Sequence, residues 1–268
     1  MKATDLTRFF KATMFLALAT ALVSSTLAAD EKETTEQEAK KQAPRPAVVR
    51  ISAAEGKATS YGSGSLVGLS EDYGLVLTNW HVVRDATGAI MVHFPDGVRA
   101  EARLLLTDRV WDLAALLISR PKVEPIPVAA KAPVKGDRLT IAGFGSGAYR
   151  EATGKVVNFV SPGEKEPFEM LEVNVAARSG DSGGPIFNED GQVAGVLFGS
   201  AGGSTNGSHC ERVRWFVRRA LAKRPSMAEA IAWVGKPESE AVSAEEAQAV
   251  GSAVEKETKL VEPVEDGS

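Results

Sequence analysis

A chain of 268 residues, 44% apolar and 25% charged, has the makeup of an ordinary globular protein with one large domain or two small ones. Its 31 basic and 35 acidic residues leave a formal charge of −4, which offers no argument for nucleic-acid binding. The single cysteine, Cys210, excludes an intrachain disulfide, so the fold must be held by its core alone.

Lys2, Arg8 and Lys11 precede an apolar stretch from Ala12 to Val23, followed by mostly small residues through Ala28 and Ala29. This is the pattern of a signal peptide over residues 1–29, and it predicts export, to the periplasm or as a secreted protein. The stretch is short for a membrane span and interrupted by Thr and Ser, so no stable membrane insertion is expected after cleavage. An uncleaved signal anchor is the alternative. Residues 30–45 are dense in Glu, Lys and Gln and lack any aromatic or β-branched apolar residue. Such a segment cannot bury enough surface to order itself, and a solvated linker closed by Pro44 and Pro46 is predicted.

From Ala47 the texture changes to short β-type runs: 48–51, 60–67 (interrupted by Gly62 and Gly64), 74–78, 89–94, 98–106 and 113–118. Pro95-Asp96-Gly97 is a strong turn signal between two of them. A proline-rich connection over 121–133 separates these runs from a second set at 138–142, 154–160, 169–175, 185–187 and 192–198. Asn188-Glu189-Asp190-Gly191 makes a tight hairpin between the last two. Short strands at this spacing predict a β-sandwich or barrel, and two clusters with a link favour two small barrels packed together. Helical period appears late, over 209–223, with Val213, Phe216, Val217, Ala220 and Leu221 on one side. Arg212, Arg214, Arg218 and Arg219 interleave with them and read as the solvated face of a packed helix, with docking to an acidic partner as the alternative. Residues 228–234 suggest one more short helix, and from Lys236 the chain is acidic and predicted disordered.

The stretch that carries chemistry is Gly180-Asp181-Ser182-Gly183-Gly184-Pro185. Glycines on both sides bare the backbone, so amides can approach a substrate carbonyl while the serine hydroxyl stays exposed. A hydroxyl needs a base to take its proton. Of the three histidines, His81 lies at the end of a hydrophobic run, where a rigid element projects it into a cleft. His93 alternates within a strand pattern, which suits a structural role, and His209 starts the late helix. An imidazole base also needs an acceptor for its other N–H. Asp112, leading into an apolar strand, is one candidate, an ordinary strand-edge aspartate is the bland reading, and Asp108 is a nearby competitor. Cys210 has no cysteine partner and only His209 beside it, so it reads as a small buried residue.

The glycine-framed serine, Thr78-Asn79-Trp80-His81-Val82 and Asp112-Leu113-Ala114 occur in the order His, Asp, Ser, and the chain resembles the trypsin/chymotrypsin superfamily of serine endopeptidases. Similarity runs from about Pro46 to Arg219 and is nearest in texture to compact, disulfide-free bacterial members. The resemblance implies an all-β fold of two packed six-stranded antiparallel barrels with a C-terminal helix. The implied protease domain covers 46–224, with barrel one at about 46–125, barrel two at about 126–208, the helix at about 209–223 and an acidic tail from 225 to 268. It implies Ser182 as nucleophile, His81 as general base and acid, Asp112 as orienting carboxylate, and the backbone amides of Gly180 and Ser182 as oxyanion hole. Ala176, Leu197, Phe198 and Gly199 would line the substrate pocket. Ala176 falls where a trypsin-type enzyme carries its basic-substrate aspartate, so small or apolar P1 residues are expected rather than Lys or Arg. No cofactor or metal is implied, and the expected partner is a polypeptide substrate. The domain's start lacks an Ile-Val-Gly-Gly-type segment, so Asp181 is expected either to pair with something internal, such as Arg178, or only to hydrogen-bond. The competing reading is a catalytically inactive member that keeps the fold as a peptide- or protein-binding module.

Overall fold

The computed structural model describes residues 43–223. The predicted signal peptide, most of the predicted linker, the short helix predicted at 228–234 and the predicted acidic tail lie outside the described residues. Strands β1 (Val48–Glu55), β2 (Ala58–Leu69), β3 (Tyr73–Thr78), β4 (Ile90–His93), β5 (Arg99–Asp108) and β6 (Leu113–Ser119) close one barrel in the order β1-β2-β3-β6-β5-β4. Strands β7 (Arg138–Gly143), β8 (Arg150–Val160), β9 (Met170–Val173), β10 (Pro185–Phe187), β11 (Val193–Ala201) and β12 (Ser204–His209) close a second in the order β10-β11-β12-β9-β8-β7. Neighbouring strands are antiparallel throughout, so the expected pair of six-stranded barrels is present. Closure leaves neither sheet a free edge.

Alternation along β6 shows how the barrels join. Ala114, Leu116 and Ile118 fill the first barrel with Val49, Ile51 and Val76. Leu113, Ala115 and Leu117 point the other way, into a cluster with Leu75, Leu77, Phe187, Val193 and Val196. A strand buried on both faces reads as an unbroken apolar run, which is why β6 was visible in sequence. The second barrel has its own interior of Leu139, Ile141, Val156, Leu171, Val173, Ile186, Ala194 and Leu197.

Among the described residues two α-helices complete the frame: α1 (Trp80–Val83) and α2 (Cys210–Ala222). On α2 the periodic residues Val213, Phe216, Val217, Ala220 and Leu221 are buried as their spacing predicts. Arg212 donates to Glu169 Oε2 at 2.6 Å and stacks over the Trp111 ring at 4.2 Å, while Arg214 donates to the Ala130 carbonyl at 2.7 Å. These arginines bind the helix to its own domain.

The N-cap of α2 is His209, whose side chain accepts from the Glu211 amide at 3.3 Å. Burial pushes this imidazole below its ordinary value, outweighing the nearby Glu169 and Glu211 carboxylates. His93, bonded to Ser52 Oγ at 2.8 Å, is lowered in the same direction, also chiefly by burial. A depressed histidine pKa means that the unfolded chain binds more protons, so stability is present above the ordinary histidine range and lost as pH falls through it. Thermal unfolding followed by circular dichroism is expected to show Tm falling below about pH 6.5. His209→Asn, which keeps a capping acceptor, should make that slope shallower, and an unchanged slope would remove His209 from the account.

Candidate active site

The ends of β3 and β6 meet at one rim of the first barrel. The Asp112 carbonyl accepts from Asn79 Nδ2 at 2.7 Å and from the Trp80 amide at 3.2 Å. This fixes the start of α1 against the residue that opens β6. Asp112 has φ +51°, a left-handed conformation that aspartate tolerates better than most side chains. Its carboxylate turns back over α1, where Oδ1 accepts from the His81 amide at 2.9 Å and Oδ2 lies 2.6 Å from His81 Nδ1. Both carboxylate oxygens are therefore engaged by one histidine. With Nδ1 donating to Asp112, the lone pair is left on Nε2. The sequence reading placed His81 at a strand end; β3 instead stops at Thr78 and the imidazole rides on the first turn of α1. Asp108 serves the local turn, accepting from the Val110 and Trp111 amides.

The second barrel contributes the loop between β9 and β10. Gly183 has φ +84°, and a Cβ there would fall 2.3 Å from the Ser63 carbonyl and from Thr78 Oγ1. Only glycine lets this loop lie flat against the first barrel. The contact is bonded: the Ser63 amide donates to the Ser182 carbonyl at 2.8 Å, and Ser63 Oγ donates to the Gly180 carbonyl at 2.8 Å. Gly62 sits between the two halves, since a Cβ there would meet Val82 at 2.7 Å and the Ser182 carbonyl at 3.0 Å. His81 and Asp112 are thus in direct contact, and Ser182 lies across Gly62 from the residue after His81. Among the described residues no hydrogen bond joins the Ser182 hydroxyl to the imidazole.

Neither the Gly180 amide nor the Ser182 amide donates a hydrogen bond among the described residues. Gly180 has φ +90°, and the loop around it is set by the residue that follows. Asp181 is 2% exposed. Its Oδ1 accepts from the Gly145 amide at 2.7 Å and from Arg178 Nη2 at 3.0 Å. Its Oδ2 accepts from the Arg178 amide at 2.8 Å, with Arg150 Nη2 3.8 Å away. The internal partner expected for Asp181 is Arg178, with Arg150 as a second cation.

Among the predicted pocket residues, the Ala176 carbonyl accepts from Arg150 Nη2 at 2.7 Å. Gly199 faces open space, and Phe198 is half-buried against the cluster between the barrels. Leu197 needs correcting. Its side chain is buried in the second barrel, because β11 turns it inward, and only its backbone reaches the serine loop, bonding Gly183 and Gly184. Sequence reading missed Ser63, a fully buried hydroxyl that bridges the barrels by donating to Gly180 and accepting from the Phe144 amide. Its only signal was the pair of glycines, Gly62 and Gly64, breaking an otherwise strand-like run.

Residues 62–196 match the model of the trypsin-like peptidase domain. The chain belongs to that family. Among curated proteins, this trypsin-like chain is 34% identical over 155 residues to a protein of Pseudomonas fulva named a probable periplasmic serine endoprotease, DegP-like, covering 55% of this chain and 31% of the relative. It is 30% identical over 223 residues to a protein of the same name from Brucella suis, covering 77% and 41%. The matches therefore span 31% and 41% of the length of these two relatives. Solved structures share the fold: a serine endoprotease from Yersinia pestis (TM-score 0.58, 24% identity, 67% of this chain and 64% of that one). A protease from M. tuberculosis in its active form gives TM-score 0.58 and 24% identity over 71% and 84%. Among the described residues no group of His, Cys, Asp or Glu is placed to hold a metal ion, and no helix is long and apolar enough to cross a membrane.

Proposed function

We propose that this chain is an exported serine endopeptidase, acting in the periplasm or beyond it, in which Ser182, His81 and Asp112 form the catalytic triad. The observation that carries the reading is the pairing of His81 with both oxygens of Asp112, facing a serine loop whose two amides are unspent. In the reaction His81 Nε2 takes the Ser182 proton as Oγ bonds to the scissile carbonyl carbon. The carbonyl oxygen becomes an oxyanion held by the Gly180 and Ser182 amides. Collapse of that intermediate breaks the C–N bond, His81 passes its proton to the leaving amine, and water repeats the sequence to release the acid. The lack of a Ser182–His81 hydrogen bond among the described residues does not count against this reading, since catalytic hydrogen bonds often tighten only once substrate binds.

The neutral Ala176, with the Arg150 guanidinium already at its carbonyl, argues against a cationic P1 side chain and for small or apolar ones. The DegP-like relatives are named periplasmic, which accords with a cleaved signal peptide over residues 1–29. The protease domain is assigned to 46–224. Labelling with a fluorophosphonate probe tests the reading. Wild-type protein is expected to be labelled, and Ser182→Ala and His81→Ala are not. A folded wild type that resists the probe would instead leave a peptide-binding module built on the same fold.

A further inference from the structure

Arg45 lies outside both barrels, in the turn that leads into β1, and the structure gives it an unusual set of contacts for a linker residue. Its Nε and Nη2 donate to the two carboxylate oxygens of Glu151 at 2.7 Å and 3.3 Å, a forked pair across 106 residues of sequence. Its guanidinium lies 4.1 Å over the ring of Phe187, two residues after Pro185 on β10. Tyr149 Oη donates to the same Glu151 Oε1 at 2.5 Å. Burial alone would raise the Glu151 carboxyl, but the hydrogen bonds from Arg45 and Tyr149 outweigh it and hold the group below its ordinary range. Glu151 is therefore a charged, largely buried carboxylate with Arg45 as its counter-ion.

From Glu151 the contacts run into the serine loop. The Tyr149 ring packs on Phe144 at 5.3 Å between centroids. Phe144 donates its amide to Ser63 Oγ, the hydroxyl that holds the Gly180 carbonyl. Gly145 donates to Asp181 at 2.7 Å, and a Cβ there would meet Asp181 Oδ1 at 2.6 Å and Arg178 Cβ at 2.7 Å. Arg178 Nη2 reaches back to the Ala148 carbonyl at 2.8 Å. Segment 144–151 is thus pressed on the Asp181 loop from one side and pinned by Arg45 from the other. A guanidinium tied to one face of that segment restricts where the Gly145 amide and the Arg178 side chain can sit, and those two groups set Asp181.

We propose that Arg45 is a positioning residue for the oxyanion loop: the segment entering the first barrel braces the second through Glu151, and that brace holds the Gly180 amide in place. The inference rests on the reading of the Gly180 and Ser182 amides as oxyanion donors. Arg45 touches neither substrate nor the reacting atoms, so its effect belongs in acylation rather than in substrate affinity.

Two readouts on the full chain test it. In Arg45→Ala, hydrogen exchange should quicken over 144–151 and 178–184 while β1–β3 keep their protection. Phosphonylation of Ser182 should slow by tenfold or more, and for a peptide substrate kcat should fall while KM stays within about twofold. Glu151→Gln, which removes the charge but keeps the Tyr149 acceptor, reads the same pair should Arg45→Ala fail to fold. Because both variants break the same Arg45–Glu151 pair, their losses should not be additive, and the double variant should be little slower than Arg45→Ala alone. Unchanged exchange in the serine loop overturns the brace, whether or not the wild type reacts with the probe. A wild type that resists the probe yet shows the exchange change in Arg45→Ala removes the peptidase reading and leaves the brace. Faster exchange with unchanged phosphonylation, or additive losses in the double variant, overturns the link to the oxyanion donors.

Discussion

Ser182→Ala is expected to lower kcat on a cleavable peptide by about 10⁶, and His81→Ala by a comparable factor. The double variant should lose no more than either single one. The reason is that the hydroxyl and the imidazole act as one device. Without the base the hydroxyl keeps its proton, and without the hydroxyl the base has nothing to deprotonate. Asp112→Asn should cost less, about 10⁴. The amide would still fill the space over α1, but one of its two positions now carries a donor. Either the His81 amide or the Nδ1 proton would lose its acceptor, and the ring would turn or take the wrong tautomer. Initial rates on one peptide across the wild type and the four variants read this. Multiplying losses in the Ser182 and His81 double variant would mean that the two residues act independently, which the triad does not allow.

The elements of the fold were legible in the sequence to unequal degrees. β6 and α2 announced themselves because each presents apolar residues at the period of its own geometry, Leu113 to Ile118 on both strand faces and Val213 to Leu221 along one helix side. β12 did not. Ser204-Thr205-Asn206-Gly207-Ser208-His209 has no aliphatic residue, yet it pairs with both β11 and β9. It earns its place through backbone bonds and through Gly207, where a Cβ would strike Ile186 and the Val196 carbonyl. A strand whose contribution is closeness of approach leaves little trace in hydropathy. The same holds at the site. His81, Asp112 and Ser182 were found by residue type, because their proposed chemistry is carried by functional groups. Ser63 and Arg45 were not, because each matters through a partner 80 or more residues away in sequence, as the Phe144 and Glu151 bonds show. Leu197 was misplaced for a related reason: its neighbourhood was right, but a one-residue change of facing decides between barrel core and cleft.

The larger stability effect is expected at Asp181. Its carboxylate is buried, accepts from the amides of Gly145 and Arg178, and balances one guanidinium at 3.0 Å with a second at 3.8 Å. Asp181→Ala strands those donors and leaves Arg150 and Arg178 facing each other without an anion between them. Removing one partner of a buried ion pair typically costs about 3–5 kcal/mol. The fold should survive in mild conditions, since both barrel cores are untouched. Activity should suffer separately. With nothing to hold the Gly145 and Arg178 ends together, Gly180 is free to leave φ +90°, and the amide proposed as an oxyanion donor would lose its setting. Loss of one oxyanion donor is worth about 10²–10³ in kcat. Adding Arg178→Met should recover part of the stability, because it removes a cation that no longer has a counter-ion, but should recover none of the rate, because the loop is still unheld. Urea unfolding and phosphonylation rate, measured on the same three proteins, separate the two effects. Recovery of rate in step with stability would mean that Asp181 merely holds the fold, and a phosphonylation rate unchanged by Asp181→Ala would remove it from the oxyanion loop altogether.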